Sequence, residues 1–168
     1  MPEEEVIERA KRDEEHGKSP STQAGEFVRE EMDHIREGKH GARSPQQAIA
    51  IGLSKARRAG VKLPPPKRGK TSSRTRAQAT RDLRKGRSSR GSRTSRTRSR
   101  AVSGTLKREG HSAASHASLS RQARSAATRR GSRSRHQAAI HAVQTKGRKV
   151  LRQEARKGAR TRARKRAA

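Results

Sequence analysis

Charge is spread along this chain so unevenly that it limits what can fold. The first 37 residues hold twelve of the fifteen acids and six basic residues, a net of −6. Residues 38–70 hold nine Lys/Arg and no acid, and residues 71–168 hold thirty Lys/Arg against Asp82, Glu109 and Glu154. Like charges at that density repel one another in a compact state. The same surplus is drawn to a polyanion, whose condensed counterions it releases. A nucleic acid is the partner this distribution favours.

Apolar content sharpens the point. Only 26% of residues are hydrophobic, and Phe27 is the single aromatic. Residues 71–168 contain eight large apolar side chains: Leu83, Val102, Leu106, Leu119, Ile140, Val143, Val150 and Leu151. Backbone ordering costs about 1–2 kcal/mol per residue, whereas burying such a side chain returns about 1.5–3 kcal/mol. That stretch is therefore not expected to fold alone as a packed domain. The fold class expected is mostly α with disorder: a short helical hairpin followed by a low-complexity basic tail of nascent helices.

Four segments follow. Residues 1–17 read as an acidic N-terminal helix, exposed and frayed, with Val6, Ile7 and Ala10 its only apolar positions. Residues 18–62 read as the hairpin. Ser19-Pro20 and Ser44-Pro45 supply cap residues followed by proline at the first helical position, and Gln47 completes a capping box with Ser44. Phe27, Met32 and Ile35 should pack on Ile49, Ile51 and Leu53, with Gly60-Val61 forming a Schellman ending that returns Val61 to Ala56. So thin a contact is expected to need a partner, a second copy of the chain among them. Residues 63–70 form a linker stiffened by Pro64-Pro65-Pro66. Residues 71–168 read as short Ala/Arg helices stopped at Gly86, Gly110, Gly131, Gly147 and Gly158, each too short to be stable unaided.

The phosphate-binding candidates are basic residues of the second hairpin helix and of the tail. They are Lys55, Arg57, Arg58, Lys62, Arg74, Arg76, Arg93, Arg96, Arg98, Arg100, Arg121, Arg124, Arg129, Arg130, Arg133, Arg135, Arg160, Arg162, Arg164 and Arg166. The net +27 of residues 71–168 matches about 46 Å of duplex, or roughly 13 base pairs. Arg outnumbers Lys four to one there, which favours forked phosphate contacts. Residues 38–168 contain no Phe, Tyr or Trp, so base stacking on aromatic rings is closed to them. Double-stranded DNA held through its backbone is the expected partner, with RNA, or a role in ribosome assembly, as the alternative. The acids of the first helices admit two readings: an internal mimic of the polyanion, or a solvated face.

Other classes find little support. The chain has no cysteine, and no apolar run approaches the roughly 20 residues of a membrane span. The acidic start Met1-Pro2-Glu3-Glu4-Glu5 suits neither a secretory nor a mitochondrial leader, so the cytoplasm and nucleoid are the expected location. His136 and His141, like His111 and His116, are five apart, the wrong spacing for two ligands on one helical face. No phosphate-binding loop and no nucleophile with its partners occurs. No enzymatic activity, cofactor or metal is expected.

The run from Lys18-Ser19-Pro20 to Glu26-Phe27-Val28, and then Ser44-Pro45-Gln46-Gln47 through Ala48-Ile49-Ala50-Ile51-Gly52-Leu53-Ser54-Lys55-Ala56-Arg57-Arg58-Ala59-Gly60, resembles a family of small basic bacterial proteins. Its members are often labelled DNA-binding or plasmid-stabilisation proteins. The resemblance covers residues 18–66 and implies association with nucleoid or plasmid. The tail is similar in composition alone to histone H1-like bacterial proteins.

Overall fold

The computed structural model describes residues 3–88 and 95–167. Six helices run in order: α1 (Glu4–Glu15), α2 (Pro20–Arg36), α3 (Pro45–Arg58), α4 (Ser73–Arg87), α5 (Arg96–Arg108) and α6 (His116–Ala167), with a 3₁₀ turn at Ser112–Ala114 before α6. No strand occurs among the described residues, and no helix is long and apolar enough to cross a membrane. The chain divides into two compact units, residues 1–122 and 123–168.

The hairpin forms as its caps dictate. Ser19 and Ser44 lie in extended backbone, and their side chains accept from the Thr22 and Gln47 N–H groups. The capping box is displaced by one residue, because Gln47 Oε1 accepts from the Arg43 N–H at 3.0 Å rather than from Ser44. Helix α3 ends as expected: Gly60 has φ +103°, the Val61 N–H donates to Ala56 O and the Gly60 N–H to Arg57 O. Helices α1 and α2 end the same way at Gly17 and Gly38. Where α2 crosses α3, a β-carbon on Gly52 would lie 2.7 Å from Val28 Cα, so glycine sets how closely the helices approach.

Two apolar clusters flank that crossing. One joins Val6, Ala10, Ala24, Phe27, Ala56 and Val61, with Ile7 and Leu53 against it. The other joins Met32, Ile35, Ala42, Ala48, Ala113 and Ala114, with Ile49 and Leu119 against it. Phe27, Met32 and Ile35 are thus buried, and Ile49 and Leu53 half-buried. The expectation of an exposed, frayed first helix does not hold: Val6 and Ala10 are buried in the first cluster. Two small apolar residues one turn apart suffice because Ala24 and Ala56 leave room for them.

The start of the basic tail also joins this unit. Helix α4 packs on α3 through Ala79 and Asp82, both buried, and its Gly86 lies against the backbone of Arg57 and Gly60. The Gly41 N–H donates to Leu106 O at 2.8 Å, and the Ala42 N–H to Gly110 O at 3.0 Å. Ala113 and Ala114 then close the second cluster. The cover expected from a partner is supplied by α1, α4 and residues 106–114 of the same chain.

Residues 123–168 depart from the expected disorder. Their described part is helical except at Gly131 and Gly147, where φ is +75° and one helix gives way to the next. Gly158, expected to be a stop, lies within the last helix. None of the described residues from 123 onward is buried, yet the lack of a core does not bring the disorder expected of it. Ala, Arg, Lys and Gln are strong helix formers. The run from Arg148 to Ala167 also exceeds the roughly 12–15 residues below which an isolated helix is marginal.

Replacing Gly52 with Ala should destabilise the protein by about 1–3 kcal/mol, through overpacking against Val28. Gly25→Ala, where a β-carbon meets nothing within 4 Å, should stabilise α2 by about 0.5–1 kcal/mol. Urea unfolding of both variants checks the contrast.

Candidate nucleic-acid interface

Basic residues of the first unit divide into those engaged within the fold and those left at the surface. Lys55 reaches inward: its Nζ lies 2.8 Å from Glu31 Oε2 and 3.2 Å from Glu30 Oε2. Arg57 is also buried. Its guanidinium donates to Leu63 O at 3.2 Å, Pro64 O at 3.4 Å and Leu53 O at 3.5 Å, fastening the proline linker to the end of α3. Burial pulls its pKa below the ordinary guanidinium value, and the Asp82 carboxylate opposes that shift. Neither residue presents its charge to a ligand.

The other candidates of this unit are exposed. Arg58 Nε donates to Ser54 O at 3.2 Å and stands 3.6 Å from Asp82. Lys62 pairs with Glu14 at 3.1 Å, joining the ends of α1 and α3. Arg76 donates to Pro66 O at 3.2 Å. Arg74, Arg96, Arg98, Arg100 and Arg121 complete the set on α4, α5 and the first turns of α6. Arg93 lies outside the described residues. A groove between α3 and α4, lined in part by Ile49, Leu53, Arg74 and Arg81, explains why Ile49 and Leu53 stay half-buried.

The acids of the first helices divide: Glu4, Glu8 and Glu15 lie on a solvated face, whereas others turn to cations of the bundle. Glu26 receives Arg9 at 3.0 Å and Arg29 at 3.3 Å. Glu30 and Glu31 are buried beside Lys55. Glu3 faces His34 at 3.0 Å and Lys39 at 3.2 Å, and those hydrogen bonds hold its carboxyl below the ordinary carboxylate value. Glu3, Glu26, Glu30 and Glu31 are counter-ions to nearby cations of the same bundle.

The second unit is different. Its sixteen Lys/Arg face one acid, Glu154, which pairs with Lys146 at 3.0 Å. Arg124, Arg129, Arg130, Arg133, Arg135, Arg160, Arg162, Arg164 and Arg166 are all exposed. Three arginines missing from the expected set belong with them. Arg148, Arg152, Arg156, Arg160 and Arg164 recur every fourth residue and are exposed, a stripe whose Cα atoms rise about 6 Å and wind about 40° at each step. The spacing stands in the sequence and becomes meaningful once the segment is one unbroken helix.

Residues 17–68, which span the hairpin and its linker, match a family of unknown function, DUF6496. No curated protein and no solved structure matches the chain. The chain is thus similar, over its hairpin, to a family that brings no assigned activity.

Proposed function

We propose that this is a non-enzymatic, architectural DNA-binding protein, largely indifferent to sequence, that acts by neutralising phosphates and associates with nucleoid or plasmid. The supporting observation is the second unit: helical, without buried residues among those described, and carrying sixteen Lys/Arg against one acid. A helix presenting arginine at ~6 Å intervals offers charge at a pitch commensurate with phosphates along a strand. The major groove of B-DNA admits an α-helix, whereas that of A-form RNA is too deep and narrow. This favours duplex DNA over duplex RNA. The bundle of residues 1–122 contributes the exposed arginines of α4 and α5 and a folded anchor.

Changing Arg148, Arg152, Arg156, Arg160 and Arg164 to Gln should lower the slope of log K against log salt by about 4–5, at roughly 0.9 for each phosphate no longer neutralised. Gel-shift titrations on duplex DNA at several salt concentrations measure this. An unchanged slope counts against the stripe, and preferential retention of structured RNA in direct competition counts against DNA.

Arg57→Met should do the reverse. Losing charge-assisted bonds to three carbonyls should cost on the order of 2–3 kcal/mol of stability while leaving the salt slope unchanged. Thermal unfolding and the same gel shift separate the two roles.

A further inference from the structure

The turn between α2 and α3 gathers two histidines and three glutamates that phosphate binding does not use. Glu31 and His34 stand three residues apart on α2, hence on one helical face, and the Gly38 ending returns the chain so that His40 meets them. Glu31, His34 and His40 each offer a ligand atom, all within 4.8 Å of one another, as do Glu3, Glu30 and His34. We propose that Glu31, His34 and His40 form a binding site for one divalent transition-metal ion of the zinc type.

Glu31 carries the argument. Its side chain is 0% exposed, and neither carboxylate oxygen has a hydrogen-bond partner. Lys55 and His40 are near enough for attraction, at 2.8 and 3.4 Å, but not aligned to donate. Lys55 compensates Oε2, so the atom left buried without a close partner is Oε1, and a buried polar atom in that state is costly.

His40 is prepared to hold one. Its Nδ1 lies 3.1 Å from Gly41 O, and a carbonyl only accepts, so Nδ1 carries the proton. A neutral ring then turns the Nε2 lone pair toward Glu31 Oε1. A ligating imidazole commonly anchors its outer nitrogen on a carbonyl in this way. The 3.4 Å between His40 Nε2 and Glu31 Oε1 is long for a hydrogen bond. It suits two ligands on a tetrahedral ion with bonds of about 2.0–2.1 Å, which span about 3.3 Å.

Charge agrees. The buried carboxylates Glu30 and Glu31 share the single ammonium group of Lys55, which leaves a net negative charge for a cation to offset. Lys55 holds Oε2 of Glu31, leaving Oε1 for the ion. His34 and His40, at 13% and 18% side-chain exposure, give it a way in. Two imidazoles and one carboxylate are a zinc-type donor set, with water as fourth ligand.

The test is titration of the full-length protein with cobalt(II), then zinc(II). One equivalent of cobalt should give the visible absorption of a tetrahedral centre, zinc should bleach it, and the melting temperature should rise with either ion. His34→Ala and His40→Ala should each lose the absorption and weaken zinc at least tenfold in chelator competition. His136→Gln with His141→Gln, on α6, should leave both unchanged. Failure of the unaltered chain to bind one equivalent overturns the site, whether or not the variants fold. So does undiminished affinity in either alanine variant.

Discussion

Lys55 places its ammonium group between two buried carboxylates, Glu30 and Glu31, at the crossing of α2 and α3. Removing a lysine from such a position strands the acids it compensates, at a cost of about 3–5 kcal/mol. The contact is one of several through which the acid-rich start of the chain neutralises the basic stretch after it. Lys62 meets Glu14, and Lys39 meets Glu3. Compactness follows the supply of carboxylates. Residues 1–122 hold fourteen of the fifteen acids; beyond them, with Glu154 alone, the chain keeps its helices but buries nothing among its described residues.

The hairpin was legible because its signals are local. A serine before a proline, a glycine after the last apolar position and Phe27, Met32 and Ile35 on one face need no knowledge of the rest of the fold. Helix α1 was misread because its evidence is distant: Val6 and Ala10 gain meaning from Ala56 and Val61, some fifty residues on. Ala113 and Ala114 were invisible for the same reason, since alanine in a basic tail carries no sign of being a core residue. The tail was misread differently. Counting large apolar side chains tests for a packed domain, but a helix can persist on backbone propensity and length alone.

The candidate interface rests on composition, and the structure adds where each cation points. Nothing in the string Lys55-Ala56-Arg57-Arg58 distinguishes the cations that turn inward from the one at the surface. Burial decides it: Arg57 fastens the proline linker, and Lys55 lies across two acids. The fourth-residue arginine stripe was within reach of inspection, but the expected stop at Gly158 divided it. The cluster at the α2–α3 turn was missed because histidines were compared only with histidines. Glu31 and His34 are the pair with helical spacing, and His40 reaches them only through the backbone reversal at Gly38.

The pairing of Lys146 with Glu154 bears on how the second unit answers its surroundings. The two residues lie on either side of the Gly147 break, so the one acid of that unit acts as a clasp across a corner between successive rods. A half-exposed ion pair contributes about 0–1 kcal/mol and is weakened by salt. The corner therefore slackens under the same ionic conditions that loosen a grip on phosphate. If the unit binds phosphates as proposed, ionic strength acts on it twice, once on that binding and once on the angle at which its cationic rods are held.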